Sequence, residues 1–218
     1  MQFEEAADRL VSWPSRLPEA PSALMPVFTD DRLRPRFPPP TSTARSAAVL
    51  ALLFPDRSGL ARIVLTERLS YDGHHSGEVS LPGGKAEPAD AGPVETALRE
   101  AAEEIRLDAD AAGVTIAGTL DEVFIPVSDF RITPIVALAA RPPVLTPNPA
   151  EVARILEPRV TAFLPDAPVE MVERVIRDWP LRYGGYRVDG LHVWGATARI
   201  LGQLGAMLAD PRDADHEV

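Results

Sequence analysis

The chain has 218 residues, 45% of them hydrophobic and 25% charged, with a net charge of −10. Those proportions belong to a globular protein of one domain with additions or of two small domains, and the acidic balance argues against a broad nucleic-acid surface, which needs a basic stripe. Cysteine is absent, which excludes disulfides, thiolate catalysis and cysteine zinc sites. No apolar run nears the roughly 20 residues of a membrane-spanning helix, and the start MQFEEAADRL lacks a basic-then-apolar secretory pattern. A cytoplasmic location and no membrane partner are therefore expected. A small anionic substrate remains compatible with the charge, because a metal ion and a few arginines can make a site locally positive.

In chain order, FEEAADRLVSWPSRL reads as a helix leading into the proline-rich RPRFPPP, an extended linker. Residues 1–43 are thus expected to be an N-terminal extension, residues 44–208 the main domain and residues 209–218 a tail that frays. SAAVLALLFP and ARIVLTERL, separated by DRSG, read as a hairpin. EVSLPGG is a short strand ending in a turn. A helix follows, then VTIAGTLDEVF and FRITPIVALAAR as strands, and ARILEPRVTAFL as mixed strand and helix. LRYGGYRVDG reads as a loop before a strand, or as a lip over a ligand. GLHVWGATARILGQLGAMLAD is a strand running into an apolar helix. Strands and helices mix without regular βαβ alternation, which favours an α/β or α+β sandwich over a Rossmann sheet.

The helix after the Pro-Gly-Gly turn carries a cluster of glutamates. Gly92 serves as its N-cap and Pro93 as its first residue. At about 100° per residue, Val94, Ala97, Leu98, Ala101 and Ile105 form one apolar stripe. Glu100, Glu103 and Glu104 gather on an adjacent arc, and Glu95 does not join them. Like charges at these spacings cost an isolated helix roughly 0.2–0.5 kcal/mol per pair. A hard divalent cation reverses that sign, since magnesium takes carboxylate and phosphate oxygens. An acidic face turned to water is the alternative. Lys85, the only lysine, follows the Gly83-Gly84 turn directly.

With these residues in place, the chain resembles the Nudix hydrolase family, whose box reads G-x5-E-x7-R-E-U-x-E-E-x-G-U, with U a bulky aliphatic residue. Aligned from Gly84, Arg99-Glu100-Ala101-Ala102-Glu103-Glu104-Ile105-Arg106-Leu107 match its second half. Asp90 stands where the first box glutamate is expected, the spacing to Arg99 is one residue longer, Ala101 is a small occupant of the aliphatic position, and Arg106 replaces the last glycine. The upstream stretch LTERLSYDGHHSGEVSLPGGKAEPAD resembles the extra motif of coenzyme A diphosphatases. Its matches are Leu65, Thr66, Arg68, His75, Gly77, Val79, Pro82, Gly83, Gly84 and Asp90, with Leu81 in place of phenylalanine and Glu87 in place of the first aspartate. WGATARIL is similar to that subfamily's C-terminal helix.

The resemblance implies a Nudix-type α/β/α sandwich with a mixed β-sheet and metal-dependent hydrolysis of a nucleoside diphosphate linked to another group. Coenzyme A, cleaved to 3′,5′-ADP and 4′-phosphopantetheine, is the substrate it favours. ADP-ribose, NADH or dinucleoside polyphosphates are alternatives, and a non-catalytic ligand sensor is an alternative of another class. It implies Mg2+ or Mn2+ on Glu100, Glu103 and Glu104, with a backbone carbonyl of the Gly83-Gly84 turn, Gly84 in the first place, completing the shell. Glu100, Arg99 and Glu103 are the candidate catalytic residues: Glu100 to polarise water, Glu103 as a further ligand or water holder, and Arg99 either to orient a glutamate or simply to pair with Glu95 or Glu103. Arg68, His75 and Lys85 are candidates for binding the substrate's phosphates, with a structural histidine bonded to backbone the other reading of His75. Asp121 and Glu122 are candidates for a general base, with a solvated turn the other reading of both. Nudix domains often dimerise, and a homodimer is the assembly the resemblance suggests, with no interface legible in the sequence.

Overall fold

The computed structural model describes residues 1–29, 43–69, 78–126, 128–176 and 179–209. In chain order its elements are α1 (Phe3–Val11), β1 (Val27–Phe28), β2 (Arg45–Pro55), β3 (Ala61–Ile63), β4 (Leu65–Arg68), β5 (Val79–Ser80) and β6 (Gly83–Lys85). There follow α2 (Pro93–Ile105), α3 (Ala109–Ala112), β7 (Val114–Thr119), β8 (Val123–Ile125), β9 (Phe130–Ala139) and β10 (Val152–Leu156). The last are β11 (Glu170–Ile176), β12 (Trp179–Val188), β13 (Leu191–Trp194) and α4 (Gly195–Leu208).

The central sheet runs β3-β2-β9-β7, with β6 paired to β2 and β8 to β9. It is mixed: β2 and β9 are parallel, from Arg45 opposite Phe130 to Leu53 opposite Leu138, and the other pairings are antiparallel. A parallel pair needs a long crossover and is covered on both faces. That is why β2 reads as an almost continuous apolar run. Ala48, Leu50, Leu52 and Phe54 pack with Ala97, Ala101 and Ile105 of α2. Ala51 and Leu53 belong to the opposite layer, with Ala6 and Leu10 of α1 and Leu201, Leu204 and Leu208 of α4. The result is helix, sheet, helix: an α+β sandwich, one of the two that the element pattern favours.

A smaller sheet, β10-β4-β5, continues from β3, and a third, β1-β12-β11 with β13 also on β12, closes the layer near α4. Here the sequence reading needs correction. LRYGGYRVDG is not a loop: most of it is the long strand β12, paired along β11, a strand the sequence reading did not assign. Two adjacent glycines weaken a strand signal, yet both are required by close approach. A Cβ on Gly184 would strike the Ala23 carbonyl and Val169, and one on Gly185 would strike the Val193 carbonyl and the His192 ring.

The expected N-terminal helix stops at Val11, ahead of Pro14. Its Ala6 and Leu10, and Leu24 further on, are buried in the same core as α4. Gln2 bridges Leu60, and the Phe3 N–H donates to the Gly59 carbonyl at 2.8 Å. The RPRFPPP stretch and His75 lie outside the described residues. Among the described residues no helix is long and apolar enough to cross a membrane.

Candidate active site

The site forms where β6 meets α2. The helix spans Pro93–Ile105 with Gly92 at its N-cap, as the period and the Gly-Pro pair predict. Ala97, Ala101 and Ile105 anchor one stripe in the core. That anchoring fixes where the glutamates go. Glu100 meets the turn: a Cβ on Gly84 would lie 2.6 Å from its carboxylate oxygens, so only glycine leaves the space. Glu104 is 4% exposed, and its Oε2 accepts from the Gly83 N–H at 3.1 Å. Glu103 points outward, its side chain 55% exposed.

Arg99 ties the glutamate face to the turn. Its Nε donates to Asp90 Oδ1 at 3.0 Å and its Nη2 to Asp90 Oδ2 at 3.1 Å, a two-pronged contact. Nη1 donates to Glu100 at 3.0 Å and, more weakly, to Glu103 at 3.4 Å. Nη2 also reaches the Lys85 carbonyl at 3.0 Å. Arg99 thus joins Asp90, the turn carbonyl of Lys85 and two box glutamates, the pair with Glu103 included. Asp90 also accepts from Thr96 Oγ1 and the Glu87 N–H, each at 2.8 Å. Arg99 first, then the Glu87 N–H, hold the Asp90 carboxyl well below the usual carboxylate range. The shorter aspartate reaches Arg99 from a loop one residue longer than the general box.

Burial raises the Glu104 carboxyl to about 7, against the pull of the Gly83 N–H and the Arg68 charge. Burial also raises Glu100, partly offset by Arg99. Both glutamates feel a further carboxylate, Glu151, which pushes both upward. The sequence reading missed it. Asn148 places it: its backbone N–H donates to the Glu104 carbonyl at 2.7 Å and its side chain donates to Glu151 at 3.1 Å. No spacing in TPNPAE announces this, because the contact is made by a loop strapped to the end of α2.

The remaining candidates are distributed unequally. Arg68, the last residue of β4, stands close enough to Glu104 to act on its charge. Lys85 contributes its carbonyl to Arg99, while strand alternation directs its side chain to the face opposite Gly84. Asp121 is held by Gln203 of α4, at 2.6 Å from its Nε2. Glu122 is near Thr133 at 3.4 Å and Arg131 at 3.8 Å. Those contacts tie both acids to elements other than the glutamate face.

Among the described residues no cluster of three or more His, Asp or Glu stands ready-made around a metal position. The donors nevertheless fit a hard cation. Glu100 and Glu104 offer carboxylate oxygens, the Gly84 position leaves room beside them, and burial disfavours the bare Glu104 charge that a cation would stabilise.

Residues 44–164 match the model of the NUDIX domain. The chain is 39% identical over 169 residues to "Nudix hydrolase 22, chloroplastic" of Arabidopsis thaliana, covering 72% of this chain and 53% of that protein. It is 32% identical over 191 residues to "Uncharacterized Nudix hydrolase NudL" of Pectobacterium atrosepticum, covering 82% of this chain and 92% of that protein. A crystal structure of a Nudix hydrolase from M. smegmatis, RenU, is similar with a TM-score of 0.45 and 29% identity, over 55% of this chain and 73% of that one. The chain spans about half the length of its Arabidopsis relative. A sandwich with a mixed sheet, a glycine turn and a glutamate-bearing helix is the arrangement of a Nudix domain, and the chain belongs to the Nudix hydrolase family. Nudix hydrolases generally use divalent metal ions.

Proposed function

We propose that this protein hydrolyses the diphosphate of coenzyme A or its thioesters, giving 3′,5′-ADP and 4′-phosphopantetheine or its acyl form. The observation that carries the reading is the meeting of two stretches: the upstream motif brings Arg68, Gly83 and Gly84 to Glu104 and Glu100. Glu100 and Glu104 would hold the divalent ion, Mg2+ or Mn2+, with Gly84 and Glu151 beside them. The ion supplies charge neutralisation at the diphosphate and a more acidic water. Arg99, locked on Asp90, keeps Glu100 aimed at the turn. Arg68 offers a cation to a substrate oxygen on the Glu104 side. Glu100, held by Arg99 beside the glycine turn, is suited to polarise the attacking water.

A dedicated contact to the 3′-phosphate predicts a much higher kcat/KM for coenzyme A than for its dephospho form, because a charge-assisted contact is lost. Steady-state rates with both substrates and with ADP-ribose test this. Equal values for coenzyme A and dephospho-coenzyme A would refute 3′-phosphate selection.

A further inference from the structure

An aromatic shelf lies on the third sheet, outside the glutamate site. The indole of Trp194 stacks on the ring of Tyr183, with centroids 4.9 Å apart and planes at 22°. The guanidinium of Arg174 stands 5.6 Å from the Trp194 ring. On the same sheet Arg182 is paired with Glu173 and Arg187 with Glu170, both at 2.7 Å. Among the described residues Arg174 has no such ion pair, although it is exposed. Tyr183 is 2% exposed, and its buried hydroxyl has no hydrogen-bond partner among the described residues. Trp194 is only partly buried. The cluster thus has a buried aromatic base, a partly buried indole and, over the indole, a cation with no ion pair among the described residues.

Its position relates it to the glutamates. β13, which ends at Trp194, packs against β5. β5 ends at Ser80, three residues before Gly83, a path on the order of 10 Å. On the other side of β5, the Arg68 N–H donates to the Glu78 carbonyl at 3.0 Å. The shelf therefore packs against the strand that leads into the turn.

We propose that Trp194, backed by Tyr183, stacks the base of the nucleotide half of the substrate, and that Arg174 pairs with an anionic group attached to that nucleotide. Aromatic stacking suits a base because every base has a π-face, and an arginine over the ring adds a cation to the same surface. This deepens the proposed function and rests on it for the identity of the nucleotide.

The test is calorimetric binding of adenosine 3′,5′-bisphosphate, and separately of inorganic pyrophosphate, to the full chain and to Trp194→Leu and Arg174→Gln variants. Trp194→Leu is expected to weaken the adenosine ligand about 10-fold or more, since a stacked base is worth about 1–3 kcal/mol, and to leave pyrophosphate binding unchanged. Arg174→Gln, at an exposed position, is expected to weaken the adenosine ligand and flatten its salt dependence, and it serves if Trp194→Leu does not fold. Wild-type affinity in the variants overturns the shelf whether or not coenzyme A is cleaved. Weakened binding in the variants, together with failure of the wild type to cleave coenzyme A, upholds the shelf and overturns the substrate reading.

Discussion

Replacing Glu104 by glutamine should make the metal-free protein more stable and the enzyme inactive. The carboxyl ordinarily titrates at 4.5, and burial raises it to about 7 in the fold. At about 1.36 kcal/mol per pKa unit, ionised Glu104 costs the folded state about 3 kcal/mol relative to the unfolded chain. The folded pKa is the higher one, so between pH 4.5 and 7 the folded protein keeps a proton that the unfolded chain has lost. Stability therefore falls as pH rises through that window, and the full cost is present above pH 7. Glutamine keeps an oxygen for the Gly83 N–H and carries no charge. For a chain of this size each kcal/mol moves Tm by about 2–4 °C, which gives a gain of about 6–12 °C at pH 8 and little change at pH 4.5. The assay is scanning calorimetry in EDTA at both pH values, then at pH 8 with Mn2+. Mn2+ should raise the Tm of the wild type by ligand linkage and leave that of the variant nearly unmoved. A variant less stable than wild type at pH 8 in EDTA, or a difference equal at the two pH values, refutes the reasoning.

Arg106 caps α2 in the left-handed region, at φ 55° and ψ 35°, where the Nudix box has glycine. Arg106→Gly should raise Tm by about 2–4 °C, as relief of about 1–2 kcal/mol of backbone strain outweighs the freedom glycine adds to the unfolded chain; an unchanged or lower Tm in a thermal melt contradicts this. Gly205→Ala should act against helix propensity. A Cβ there meets the Phe163 backbone carbonyl, so a loss of about 1–3 kcal/mol from overpacking is expected, read from the urea midpoint, and a more stable variant would show that α4 packs differently. Asp90→Asn should lower kcat about 10–100-fold at saturating metal with the fold intact, because Arg99 loses the partner that aims it at Glu100. Arg99→Lys added to it should cost little more, and additive losses in a double-mutant cycle would mean that the two residues act independently.

Much of this arrangement was legible in the sequence, for identifiable reasons. α2 was readable because Gly92, Pro93 and the apolar period all describe one helix. The placement of Glu100 and Glu104 beside the glycine turn followed from the family box. The separation of the three glutamates did not: helical angles put Glu103 on the same arc, while the turn of β6 buries Glu104 and leaves Glu103 to solvent. Asp90 could be aligned, but its hold on Arg99 depends on a loop conformation that spacing does not encode. Glu151 arrives from a loop distant in sequence. β12 was misread because Gly184 and Gly185 look like loop residues until Ala23 and His192 are seen against them. In each case the illegible part is a contact between segments far apart along the chain.

The most direct test of the central claim is mass spectrometry of the products after incubation with coenzyme A, ADP-ribose and NADH, each with Mg2+, Mn2+ or EDTA. Coenzyme A should yield 3′,5′-ADP and 4′-phosphopantetheine, in preference to cleavage of the others, and nothing in EDTA. Undiminished cleavage in EDTA would contradict the metal-dependent chemistry, and cleavage of only ADP-ribose or NADH would contradict coenzyme A as the substrate.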